Sequence, residues 1–336
     1  MKKSNSVDEY KDIKCYCCGD RGKKENYVYP IGSKEYENWL NEYIADLENY
    51  ETDASNVKDH YHDPDRSYYL KNKDFFKDLT NFLIKQEDNC KYINKENKYS
   101  YRFEKQDYRK GICVLKDEDE LFYLRSDQFG FSAPTSEKRH PYDLYLKTNN
   151  KDKHKKVAEW ISNTRTIGGS FLWPLPLKIG RKASFHKEYN ENRGGKIDSS
   201  NRYYMQDRAD LALYEVSCFY NRDKKLEEFK RTKISTYIEK YDYAKEWFEH
   251  FESFSNYVKF FCFEDFVDED YNVIDMTQTD KKTPITSDSY QKTKSNPFFK
   301  QLQTKEPKEI EETMFNILDT LSKNVIERSK RMLDLK

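Results

Sequence analysis

Glycine is scarce in this chain, and it is bunched. Five of its ten glycines (Gly168, Gly169, Gly180, Gly194 and Gly195) fall within residues 168–195, where an even spread would put about one. Glycine takes positive φ at no steric cost and lets another backbone or a ligand come close, so the unusual geometry of the fold is concentrated here. The stretch opens R-T-I-G-G-S-F-L-W-P at Arg165, passes through N-R-G-G at Asn192 and reaches D-R-A-D-L-A-L at Asp207. Two Gly-Gly corners and an acidic helix start are the frame around which the rest of the 336-residue chain is arranged.

What packs around that frame is aromatic rather than aliphatic. Hydrophobic residues make up only 36% of the chain and charged residues another 36%, yet 28 Tyr and 21 Phe supply large buriable surfaces, on the order of 150–250 Å² per ring. A real core is therefore within reach. Sixty basic and sixty acidic residues cancel, which removes the bulk positive field of a protein that coats nucleic acid. A tyrosine-rich surface of mixed charge suits protein interfaces. The start, M-K-K-S-N-S-V-D, has no apolar segment of the signal-peptide kind, and no apolar run reaches the ~20 residues of a membrane span. Seven irregularly spaced cysteines without a secretion signal point to reduced thiols and a cytoplasmic protein.

Cys15, Cys18 and Gly19 have the C-x-x-C-G spacing of a zinc knuckle, in which two thiolates share one metal. A structural zinc there needs two further ligands, with His60, His62, Cys90 and Cys113 as the candidates; free thiols in a small loop are the other reading. Apolar spacing predicts helices over Lys34–Tyr50 and Asp74–Lys85. From about Tyr99 the period changes to two, and the runs I-C-V-L (112–115) and L-F-Y-L (121–124) predict a strand and a hairpin. Residues 151–163 read as a short basic helix with Val157, Trp160 and Ile161 inward, and Ser170–Trp173 as a buried strand closed by Pro174 and Pro176. A long helix is predicted over 232–252, with an aromatic stripe, and a core helix over 257–266. Composition shifts at 268–306 toward Asp, Thr, Lys, Ser and Gln, which reads as a linker or exposed excursion. A last helix starts at Pro307, with its stripe at Ile310, Met314, Ile317, Leu318, Leu321, Val325 and Leu333.

The expected architecture is α+β: a mixed small sheet packed by aromatic-rich helices. A helical N-terminal segment spans 1–94, the main domain 95–266, the linker or excursion 267–306 and a C-terminal helical arm 307–336.

Gly168-Gly169 has two readings: an ordinary helix-to-strand turn, or bare backbone against which a ligand's phosphate or a partner's chain sits, with Arg165 supplying charge. No G-K-[ST] follows and no G-x-G-x-x-G occurs, so nucleotide loops of those kinds are excluded. Asn192, Arg193 and Gly194 make the second corner. Asp207, Arg208 and Asp210 open a helix; the two acids suit capping and the helix dipole, and a metal role for them would need His186 or Glu215 as well.

The ordered blocks R-T-I-G-G-S-F-L-W-P, N-R-G, D-R-A-D-L-A-L-Y-E-V and Y-V-K-F-F over about residues 120–275 resemble an uncharacterised family of bacterial and phage-borne proteins. Its members carry T-I-G-G…F-P, N-x-R-G, D-R-x-D-L-T-L and Y-V-D-F-F. This chain departs at Trp173, Ala209, Ala212 and Lys259, where an acid is usual for the last. The resemblance implies a fold unit and a bacterial or phage context, and brings no chemistry.

On these grounds the expected function is that of an interaction protein in the conflict between bacterium and phage. It would bind another protein, or its own copies through the C-terminal helix. The alternative is an enzyme on a nucleotide or nucleic acid, with Arg165, Arg193 and Arg208 holding phosphates and Asp207, Asp210 or His186 as acid or base. A nucleic-acid-binding protein without chemistry is the third reading, and the balanced charge weighs against it. No residue is assigned as catalytic.

Overall fold

The computed structural model describes residues 73–89, 92–93, 101–105, 112–116, 119–128, 156, 160, 163, 166–176, 209–278, 282–295 and 305–334. Helix α1, Lys73–Asn89, buries Leu79, Phe82, Leu83 and Gln86, the i, i+3, i+4, i+7 face of a helix. It runs one turn past the apolar stripe because polar side chains hold that turn: the Gln86 amide donates to the Phe260 carbonyl at 2.5 Å.

Four strands follow: β1 Arg102–Lys105, β2 Ile112–Lys116, β3 Asp119–Gln128 and β4 Ser170–Pro176. They lie in the order β1-β2-β3-β4. Every pairing is antiparallel, so the sheet is antiparallel where a mixed one was expected. Successive strands that are direct neighbours reverse direction through hairpins, and even the long β3–β4 connection returns the chain alongside itself.

Alternation along the strands divides the apolar residues between two faces. Tyr101, Phe103, Ile112, Val114, Phe122 and Leu124 enter the main core, while Cys113, Leu115 and Tyr123 form a second cluster. This is why I-C-V-L is apolar throughout instead of alternating.

The helical layer comprises α2 Ala209–Tyr220, α3 Leu226–Lys230, α4 Lys233–Lys240, α5 Asp242–Glu249 and α6 Phe254–Phe260. Its hub is Trp247, fully buried. Ring centroids of Tyr101, Phe122 and Phe251 lie 5.6, 5.8 and 5.0 Å from its own. The aromatic wealth of the sequence is thus spent on joining sheet to helices, each well-placed ring pair adding about 0.5–1.5 kcal/mol beyond area.

The single helix expected over 232–252 is two. Tyr241 is extended (φ −132°, ψ 100°) and separates α4 from α5. The break brings the Tyr237 and Tyr243 hydroxyls to 3.2 Å, places the Tyr237 hydroxyl on the Pro174 carbonyl, and stacks Tyr243 on Phe122 at 5.3 Å. Contacts to the sheet outweigh helical continuity.

The core helix expected over 257–266 also stops early. Cys262 takes φ 55°, the Phe263 N–H donates to the Val258 carbonyl at 2.8 Å and the Cys262 N–H to the Lys259 carbonyl at 3.3 Å. That pair of bonds around a left-handed residue closes a Schellman motif.

Composition misleads again at 267–306. Bridges join Val267 to Val273 and Ile274 to Pro284, α7 spans Ser287–Ser295, and Val273, Met276, Ile285 and Tyr290 are buried. The described part of this segment is packed, because two buried acids of α2 hold it in place. The last helix, α8 Pro307–Asp334, lies on the body, chiefly against α1 and the two 3-10 turns Ile167–Gly169 and Glu264–Phe266. Met332 is buried and Leu333, placed on the stripe from sequence, is 47% exposed.

Candidate functional site

The T-I-G-G block forms a 3-10 turn, Ile167–Gly169, entered from an extended Thr166 (φ −84°, ψ 167°). Gly168 is not in the left-handed region; the absence of a Cβ is what the position requires. A Cβ there would run into Ser329 Oγ, the Val325 carbonyl oxygen and, at 2.5 Å, the Ser329 backbone nitrogen. The glycine lets α8 lie directly on the turn.

Hydrogen bonds then fix the register. The Gly168 N–H donates to Ser329 Oγ at 3.0 Å, and Ser329 Oγ lies 2.7 Å from Thr166 Oγ1. Because the Thr166 hydroxyl donates to the Asn163 carbonyl at 2.7 Å, the Ser329 hydroxyl is the donor to Thr166. The result is one unidirectional relay of N–H and O–H groups, the kind in which neighbouring bonds strengthen one another.

One turn of the contact is charged. Arg328, 1% exposed, donates from Nη1 to the carbonyls of Gly168 (2.6 Å) and Ser170 (2.7 Å) and from Nε to that of Phe261 (2.8 Å). Its guanidinium lies 3.9 Å from the Phe263 ring centroid, a cation–π contact. Burial pulls its pKa down to about 9, which leaves it charged at neutral pH. Arg331 donates to the Cys262 carbonyl at 3.2 Å and pairs with Asp265. The two arginines thus sit on the last carbonyls of α6 and its turn, where the helix dipole favours cations.

The acidic helix start is also occupied by the chain itself. Asp210, 0% exposed, accepts the Leu211 N–H at 2.9 Å and the Met276 N–H at 3.0 Å. It satisfies a first-turn amide of α2, the N–H of the next residue, and anchors the 267–278 segment. Glu215, equally buried, accepts the Ile234 N–H at 3.0 Å and the Tyr290 hydroxyl, tying α2 to the start of α4 and to α7. Both carboxylates are therefore engaged in fold contacts.

A third buried polar pair went unnoticed in the sequence. His250 Nε2 lies 3.1 Å from Glu87 Oε2, and the other Glu87 oxygen accepts the Tyr101 N–H at 3.1 Å, so α1, β1 and the end of α5 meet at one carboxylate. Lys259, the departure from the resembled motif, lies 5.5 Å from the ring centroids of both Tyr92 and Tyr271. An acid between two aromatic faces would gain nothing there.

Of the residues singled out from sequence, Gly168 and Gly169 lie at the α8 contact, buried, and Asp210 lies at the Met276 amide. Arg165, Asn192, Arg193, Gly194, Asp207, Arg208, Cys15 and Cys18 lie outside the described residues. Among the described residues no group of three or more His, Cys, Asp or Glu side chains is placed to hold a metal, and no helix is long and apolar enough to cross a membrane. Arg328 and Ser329 were missed, although one clue was present: Leu321, Val325, Arg328 and Met332 follow a single helical stripe, and an arginine in that register is a buried one.

Against known families, a model described as a family of unknown function (DUF6994) matches residues 83–304. That span contains the narrower stretch from which the resemblance was read. It ends before α8, and so before the two side chains that meet Gly168. No curated protein and no solved structure matches the chain.

Proposed function

We propose, starting from the fact that this chain belongs to that family of unknown function, that it works by binding protein: an interaction module, acting in the conflict between bacterium and phage. The observation that carries this reading is the occupancy of two of its described motif blocks. The bare backbone at Gly168 is taken by the protein's own Arg328 and Ser329, and the Asp210 carboxylate by backbone amides. A phosphate seated on the glycine turn would have to displace an entire helix. The motif residues shape a rigid aromatic body, and what that body offers outward is surface of mixed charge, which suits a protein partner. Residue usage rich in Lys, Asn and Tyr, together with the resembled motifs, supports the bacterial and phage setting.

The test is a binding measurement paired with a search for small molecules. Proteins retained by the purified chain from infected and uninfected lysate are re-expressed and titrated back, while mass spectrometry examines what the chain carries through purification. A saturable complex of defined stoichiometry is the expected result. A co-purifying nucleotide, whose turnover is lost in Arg193→Ala while the fold is kept, would overturn the proposal in favour of an enzyme.

A further inference from the structure

The aromatic hub of the fold contains two polar atoms that its packing does not satisfy. Trp247 is 0% exposed and His250 1%, yet neither the indole Nε1 nor the imidazole Nδ1 has a hydrogen-bond partner among the described residues. A buried indole N–H ordinarily finds an acceptor, and a polar atom sealed from solvent without one forfeits its hydration for nothing in return. Such orphans are few in a native fold, and an ordered water is a common answer to them.

The two atoms are chemically complementary. Glu87 accepts the Tyr101 N–H at one oxygen and lies 3.1 Å from His250 Nε2 at the other. A carboxylate oxygen accepts, so Nε2 carries the ring proton and Nδ1 of the neutral ring is a bare lone pair. The shape of the imidazole turns that lone pair away from Glu87. The indole presents the opposite group, an N–H that can only donate.

They are also close neighbours. Trp247 and His250 stand three residues apart at the end of α5, so they share one helical face. Their rings are near parallel, 21° apart, with centroids separated by 6.3 Å. Two hydrogen bonds in series, each about 2.8–3.0 Å, reach about 5.5–6 Å, a span of the same order. Tyr101 and Phe251 each lie against both rings, at 5.6 and 5.0 Å from Trp247 and 4.8 and 5.3 Å from His250, and wall the pair off from bulk solvent.

We infer that Trp247 and His250 are the binding site of one buried water, which accepts from the indole N–H and donates to His250 Nδ1. An anion would face the Nδ1 lone pair and a cation the indole hydrogen. The pair therefore selects a neutral molecule that both donates and accepts, and with rings packed this closely the smallest such molecule is the one that fits. The water completes a network running from the indole through the imidazole to Glu87 and the Tyr101 amide, which joins α5 to α1 and β1 and in which each bond polarises the next. The site is separate from the protein-binding reading and stands or falls independently of it.

Nuclear magnetic resonance on the isotope-labelled full chain at neutral pH tests the inference. The expected results are a cross-peak between the Trp247 indole proton and a long-lived water, and a His250 ring protonated at Nε2 alone. An indole proton with no such cross-peak, resting instead on a neighbouring ring and shifted upfield by it, overturns the inference. So does a proton on Nδ1. Trp247→Phe keeps a ring in place and removes the donor, so it identifies the indole signal and supplies a second readout: in the folded variant the Nδ1 resonance is expected to move downfield, as an acceptor nitrogen does on losing its donor. An Nδ1 resonance that stays in place overturns the inference as well, and if the variant does not fold, the measurement on the unaltered chain decides.

Discussion

Single side chains here are judged by what fills the space beside them. Gly168 has no room for a methyl group, because the nearest atoms include the backbone of α8, which cannot rotate away. Gly168→Ala is expected to cost about 1–3 kcal/mol, the range for overpacking, read as a lower urea midpoint. Cys218 illustrates the opposite property. Burial pushes its thiol up from an ordinary value near 9 to about 12, so at pH 8 the nucleophilic thiolate is almost absent. Alkylation of the folded protein at pH 8 should leave Cys218 unlabelled, and urea should release it; rapid labelling without denaturant would contradict the placement. The described cysteines Cys113, Cys218 and Cys262 are all buried.

At the scale of elements, the joints matter more than the helices they join. Asp210 holds the 267–278 segment to α2 through the Met276 amide. Asp210→Ala would leave two buried amides without an acceptor, at about 1–3 kcal/mol each. The expected signature is a destabilised protein in which segment 267–278 loses its hydrogen-exchange protection first. Glu252, exposed and at φ 62° just after α5, carries the penalty of a left-handed residue with a side chain, about 1–2 kcal/mol. Glycine relieves that penalty and adds about 0.5–1 kcal/mol of unfolded-state entropy. Glu252→Gly should therefore stabilise by roughly 0.5 kcal/mol, visible as a small rise in urea midpoint.

For the molecule as a whole, the aromatic core sets a limit on alkaline pH. Burial raises the hydroxyls of Tyr214, Tyr220 and Tyr257 well above their ordinary value near 10, and the Cys218 thiol to about 12. Each is neutral when folded and ionises when unfolded, so the unfolded chain binds fewer protons above pH 9. The stability these groups lend is complete below that point and is lost as pH rises through 9 to 12. Arg328, lowered to about 9 by burial, acts in the opposite sense over the same window, one group against four. Urea midpoints measured from pH 7 to pH 11 should fall steadily above pH 9; a flat profile would show that these hydroxyls reach water.

The main elements were legible in the sequence because apolar periodicity is a local property. The α1 stripe, the β2 and β3 runs, α2 and the Pro307 start of α8 are each written in residues a few positions apart. Of the paired glycines, Gly168 and Gly169 fall at the contact with α8. Their purpose was hidden, since the atoms that exclude a Cβ at Gly168 come from Val325 and Ser329, some 160 positions later. The break at Tyr241 was equally invisible, being set by Pro174 and Phe122 on the sheet. So too was the packing of the polar 267–295 stretch, which depends on Asp210 and Glu215. Patterning decides which segments become helix or strand. Which backbone a glycine admits, and which amide a buried acid satisfies, is decided only when distant segments meet and water is excluded between them.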